Sequence, residues 1–398
     1  MLKRYGETCL IAFVLLAGII FIMPNGIEPR IQRITGFTFS MLIASGIYLL
    51  KVDIFLGALI LFASLISWIT VYYDPRLYYE IFALIVFLIY IVKTRYLKRQ
   101  VIYDIIIFVA FLNLLFQILQ IFKIYFVVIP HGQIPGLMSN INETSALYAM
   151  TAPAFFRRRR WFLLPIILAG LALSGSFQGV LAFCLVAFVW SIINLRKAKD
   201  SFKKIVAVVL WLILLAGCFV TYVKPINYQV LRQERLVIWE ASLKIASVKP
   251  IMGWGFNQYQ TVVPLITSWK FLSPANQNMI YAQIPNKKDF ERAVQKVSKE
   301  KNYFTGNSQR HNLYIQAHNE YVEWFFTGGL VGLLIALTFL ARLLYRSLKM
   351  IDKVPFYGLL SASIVCFFGF SWHLTPLALI TVLYIALIER DLWLKLYI

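Results

Sequence analysis

His311 and His318 stand close together, immediately before and at the start of an apolar run that opens near residue 318. An imidazole with an ordinary pKa of about 6.5 exchanges its proton near neutrality, which makes His318 a natural general base for a hydroxyl. The plainer reading is a histidine that anchors a helix end at the water boundary. Arg232 and Arg235 open the polar segment that leads to these histidines, and Arg310 lies at its far end. Their planar guanidinium forks suit a bidentate grip on phosphate oxygens, so a pair of them would clamp a diphosphate. Taken alone, each arginine also fits a solvated helix start. On an ideal helix at 100° per residue, His311, His318, Gly329 and Gly332 fall within about 40° of one stripe. Glycines so placed let a neighbouring membrane helix approach closely. No metal-ligating constellation accompanies them. Asp104 and Glu80 sit near the ends of apolar runs and read as residues of the headgroup zone.

The elements that would carry these residues are membrane spans. The chain has 398 residues, of which 60% are hydrophobic and only 14% charged. Soluble domains carry about 25% charged residues, so this composition excludes a soluble globular protein and a disordered chain alike. The apolar residues form long uncharged runs, each approaching the ~20 residues that cross a bilayer core. The runs lie near 7–24, 34–50, 54–73, 77–92, 101–122, 144–156, 162–176, 178–194, 205–222, 318–345, 355–371 and 374–388. They predict an all-α polytopic membrane protein with about twelve transmembrane helices and one large external loop containing short helices. The run at 144–156 is short and carries Pro153, which predicts a broken helix.

A net charge of +21 would point to nucleic acid in a soluble protein. Here the basic residues cluster in short loops at 93–100, 157–160, 195–204 and 346–353, and the positive-inside rule accounts for them. That alternation places both termini in the cytoplasm and excludes a nucleic-acid partner. Cys9, Cys184, Cys218 and Cys366 all lie in apolar runs and read as small core hydrophobes. The chain thus divides into spans over 1–222, a large external loop over 223–317, and further spans with a cytoplasmic tail over 318–398. A loop of that length must hold structure of its own. Residues 235–248 predict an amphipathic helix with Leu236, Trp239, Leu243 and Ala246 on one face, stopped at Pro250. Residues 287–300 predict a second, strongly charged helix.

Three segments carry a family resemblance. RLVIWEASLKIASVKPIMGWGFNQY resembles the Arg…Trp…Pro…Gly-Trp-Gly segment in the external loop of the bacterial O-antigen ligase/polymerase superfamily. AHNEYVEWFFTGGLVG resembles the ligase pattern of His, then Asn, Ser or Gln, nine residues, Gly, two residues, and Gly, Thr or Tyr. His318, Asn319, Gly329 and Gly332 meet it. GLMSNINETSALYAM is similar to the Asn-containing segment before a central span in these proteins. One departure stands out. Where many members carry an arginine in a Ser-Arg-Gly-like segment, this chain has Ser174-Gly175-Ser176-Phe177-Gln178-Gly179.

The resemblance implies an integral-membrane, GT-C-type glycosyltransferase working on the outer face of the bacterial inner membrane without a metal ion or cofactor. The donor would be a glycan on undecaprenyl diphosphate, and the acceptor a hydroxyl of a lipid or glycan. His318 would serve as base and Arg235 as the clamp on the diphosphate leaving group, with Arg232 or Arg310 supplying a second cation. Trp239, His311, Asn319, Gly329 and Gly332 would support the site. The histidine pattern favours a ligase acting on lipid A core. A polysaccharide polymerase and a protein O-oligosaccharyltransferase share the motifs. From other classes, a lipid-linked glycan flippase would require internal repeats and mid-membrane charges that the sequence lacks, and a membrane scaffold would leave the histidine–glycine pattern unexplained.

Overall fold

The computed structural model describes residues 99–124, 134–138, 141–156, 161–195, 236–255, 259–269, 272–282, 284, 286–298, 319–369 and 375–396. The apolar runs at 7–24, 34–50, 54–73, 77–92 and 205–222 lie outside the described residues. All regular structure among the described residues is helical: α1 (Arg99–Ile121), α2 (Ile141–Thr151), α3 (Leu164–Ser174), α4 (Phe177–Leu195), α5 (Val237–Ala246), α6 (Tyr259–Ser268), α7 (Pro274–Ala282), α8 (Lys287–Ser298), α9 (Glu320–Lys349), α10 (Val354–Phe368) and α11 (Thr375–Leu396). The described residues fall into two compact units, one from 99–195 and 342–396, the other from 236–341. Helices α1 and α9 are long and apolar enough to cross a membrane.

In the first unit α1 buries Ile102, Tyr103, Ile106, Val109 and Ala110 along its first half and three amides along its second. Asn113, Gln117 and Gln120 are buried on one face, whereas Phe111, Leu115 and Ile118 are exposed on the other. The buried amides satisfy the irregular backbone of 134–138. Gln120 donates to the Gly136 carbonyl at 2.6 Å and accepts from its N–H at 2.8 Å. Asn113 accepts from the Leu137 N–H at 2.9 Å, and Gln117 donates to the Ile134 carbonyl at 2.8 Å. The Tyr148 hydroxyl on α2 closes the network, donating to Gln117 at 2.7 Å and accepting from Asn113 at 3.1 Å. Buried irregular backbone is stable only where partners of this kind take up its polar groups. The break expected around Pro153 is present. Helix α2 ends at Thr151 and tightens into a 3₁₀ turn over Ala152–Phe156.

The second unit contains the large loop, which has its own core. Helices α5, α6 and α8 meet around Ile238, Ala241, Ile245, Tyr259, Val263, Phe290, Ala293 and Val297, and Phe326 from α9 joins them. Helix α8 follows the charged pattern expected over 287–300, burying Phe290, Ala293 and Val297 at helical spacing. Helix α5 forms where expected and ends before Pro250, and its buried face is only in part the one the sequence indicates. Ala246 is buried and Trp239 packs against the core as expected, but Leu236 and Leu243 are exposed, and Ile238, Ala241, Ser242 and Ile245 turn inward in their place. Two adjacent apolar stripes run along this helix. The partners α6 and α8, which the local pattern does not contain, selected between them.

Candidate functional site

The N-terminal end of α9 is built by a capping residue. Asn319 is buried, and its Oδ1 accepts from the N–H groups of Tyr321 at 3.0 Å and Val322 at 3.2 Å. Its own carbonyl accepts from the Glu323 N–H at 3.1 Å. This is N-cap geometry, which satisfies donors that a helix start otherwise leaves open. The asparagine of the His-Asn motif therefore has a concrete task. It starts the helix one residue after His318.

Glu320 and Glu323 follow in the first turn, 0% and 4% exposed. Negative charge at a helix N-terminus is favoured by the macrodipole. Thr327 donates back to the Glu323 carbonyl at 2.7 Å. Two turns further on, Gly329 takes φ 61° and ψ −159° and interrupts the helix. That conformation is open essentially only to glycine. The helix starts at Glu320 and breaks at Gly329, so an ideal 100° projection does not carry from 311 or 318 to 332. The single helix assumed for the expected stripe is therefore broken between Gly329 and Gly332, and the histidines of that stripe lie outside the described residues. Gly332 is buried on the helix beyond the break.

The break is where the loop docks. The Gly253-Trp254-Gly255 turn lies against it, with the Trp254 N–H donating to the Phe326 carbonyl at 2.9 Å and the Gly255 N–H to Thr327 at 2.8 Å. In return, the Leu330 N–H donates to the Pro250 carbonyl at 2.7 Å and the Val331 N–H to Ile251 at 3.2 Å. The loop thus takes up carbonyls and N–H groups that the interrupted helix would otherwise leave unsatisfied. The approach is too close for side chains. A Cβ on Gly253 would lie 2.4 Å from the Thr327 carbonyl oxygen, and one on Gly329 would lie 2.3 Å from that of Ile251.

Trp254 pins the turn from the other side. Its ring stacks on Phe326 at 6.2 Å between centroids and 14° between planes, and its Nε1–H donates to the Ile245 carbonyl at 2.9 Å. Lys249 lies 5.5 Å above the same indole. Tyr259 meets Phe326 edge-on at 5.0 Å and shares a 2.5 Å hydrogen bond with Ser242. Trp239 is half-buried against the same core. The loop surface beyond carries Tyr281, whose hydroxyl donates to Glu291. That carboxylate, with lesser help from burial, holds the phenol above its ordinary pKa.

Neither a protein-family model nor a curated protein matches this chain. His318, His311, Arg232, Arg235 and Arg310 lie outside the described residues. Of the expected site residues, the structure places Asn319, Gly329, Gly332 and Trp239, all in the second unit. Among the described residues no cluster of three or more His, Cys, Asp or Glu side chains could hold a metal ion.

In the first unit the structure joins two further segments that the sequence singles out. Ser176 donates to Asn142 at 2.6 Å, and a Cβ on Gly179 would lie 2.2 Å from the Ser145 carbonyl oxygen. Sequence reasoning missed Phe326 and the buried pair Glu320 and Glu323. Their signal was present as acidic residues opening an apolar run, but it pointed equally well to a solvated helix start.

Proposed function

We propose that the chain is an integral-membrane glycosyltransferase of the O-antigen ligase/polymerase type. It moves a glycan from undecaprenyl diphosphate to a hydroxyl acceptor at the outer face of a bacterial inner membrane. The observation that carries this reading is the joint between 250–255 and 326–331. Two of the segments that resemble the superfamily are far apart in the chain, yet they are locked together by four backbone hydrogen bonds.

Asn319, which follows His318 in the chain, caps the start of α9. In this reading His318 takes the acceptor proton while the hydroxyl oxygen attacks the anomeric carbon. The bond to the diphosphate breaks, and its electron pair leaves on the phosphate oxygen. Arginine cations stabilise the charge developing there. Ligase activity on a lipid A core is the preferred form.

Transfer from a defined undecaprenyl-diphosphate glycan by the purified protein tests the proposal. Lipid A core, a second lipid-linked glycan and an acceptor peptide would be offered separately. Transfer to the first, lost by at least about a hundredfold in His318→Ala, is the expected outcome for a general base. No transfer to any acceptor by well-folded wild-type protein defeats the reading. Transfer to only the second or third acceptor reassigns the enzyme within the superfamily.

A further inference from the structure

Ile251 and Met252 project from the turn that docks on α9, and they are 64% and 44% exposed. Their surroundings across the joint are apolar as well. The hydrogen bonds from Leu330 and Val331 to Pro250 and Ile251 set the turn beside Leu330, itself 51% exposed. From there Leu334 and Leu337 continue the exposed apolar stripe along α9 at helical spacing. The two bare side chains of the turn therefore extend the outer surface of a helix that is long and apolar enough to cross a membrane.

The backbone of the turn is equipped for the same surroundings. The N–H groups of Gly253, Trp254 and Gly255 are all bonded, the first to the Lys249 carbonyl at 3.0 Å, and the carbonyls of Pro250 and Ile251 accept from α9. The N–H groups of Ile251 and Met252 lack a backbone partner among the described residues. The turn therefore suits the edge of a leaflet, where headgroup oxygens and water reach those groups, and not its centre. Depth agrees as well. From Arg346 back to Leu330, just past the break, the helix runs about sixteen residues at about 1.5 Å each, so the joint falls within the roughly 30 Å of a bilayer core, near its edge.

We propose that the Pro250–Gly253 turn is seated in the outer-leaflet edge of the bilayer, with Ile251 and Met252 against lipid acyl chains. The external helical unit is thereby moored to the membrane at the point where it grips α9. A lipid-borne substrate would meet the site at hydrocarbon level rather than by climbing out of the leaflet. The proposal rests on the reading of α9 as a membrane span and is independent of which glycan is moved.

The test uses full-length, cysteine-free protein in vesicles of phosphatidylcholine and phosphatidylglycerol. Single nitroxides would be placed at Ile251→Cys, Met252→Cys, Leu334→Cys on the span, and Met279→Cys, which is 59% exposed on α7. Collision with oxygen, which concentrates in hydrocarbon, is compared with collision with a water-soluble nickel chelate. We expect oxygen-to-nickel ratios at 251 and 252 to match 334 and to exceed that at 279 several-fold. Ratios at 251 and 252 equal to that at 279, with 334 still oxygen-rich, overturn the mooring and leave the span intact. A nickel-rich signal at 334 removes the span, and the mooring falls with it. Neither result bears on glycan transfer, which is assayed separately.

Discussion

At the residue scale, the position after the histidine is explained by a hydrogen-bonding requirement. Asn319 accepts two backbone N–H groups, a task that serine also performs and alanine cannot. Asn319→Ala should therefore destabilise the protein by about 1 kcal/mol, the usual cost of a lost N-cap. Asn319→Ser should retain most of that stability. Thermal unfolding in detergent measures both, and an equal loss in the two variants would show that the cap is not what the position supplies. The sequence marks Asn319 as part of a pattern. It does not reveal the reason, because a cap is defined by the turn its side chain bonds, and the chain opens other turns with similar residues.

At the element scale, the decisive feature is a helix interrupted so that a loop can complete it. Gly329 and Gly175 both have φ 61°. Nothing lies within 4 Å of a Cβ built on Gly175, whereas one on Gly329 runs into the Ile251 carbonyl. Gly175→Ala should cost only the strain of a left-handed alanine, about 1–2 kcal/mol. Gly329→Ala adds a backbone collision and should lower the thermal midpoint clearly further. It should also speed protease cleavage within 236–298, since the loop loses its dock. Similar midpoints for the two variants would mean that the joint contributes little. Hydropathy located α9, α10 and α11 and gave no sign of the break, since Gly-Gly inside an apolar run is equally compatible with an unbroken helix.

At the scale of the whole molecule, buried polar groups are held by partners distant in sequence. Arg346 donates to Glu389 at 3.0 Å, and the glutamate side chain is only 6% exposed. Removing Arg346 takes a charge-assisted hydrogen bond from a buried carboxylate, which costs more than the pair itself contributes. Arg346→Ala should destabilise by about 3 kcal/mol, and adding Glu389→Leu should recover most of that loss. A double variant no more stable than the single one would contradict this account. The amides of α1 follow the same logic, with Asn113, Gln117 and Gln120 turned inward to hold the 134–138 backbone. Their spacing along an apolar run is visible in the sequence, but the loop they serve is not.

Local pattern determined the helical class, the positions of the described apolar helices, the break near Pro153 and the charged helix at 287–298. Each of these depends on composition or periodicity within a few turns, and the physics that reads them is equally short-ranged. Tertiary structure alone decided which stripe of α5 is buried, where α9 breaks, and that 250–255 completes it. Backbone hydrogen bonds join those segments, and nearly every residue type carries the same N–H and carbonyl. Only the glycines, through the side chains they lack, leave a trace of the contact in the sequence.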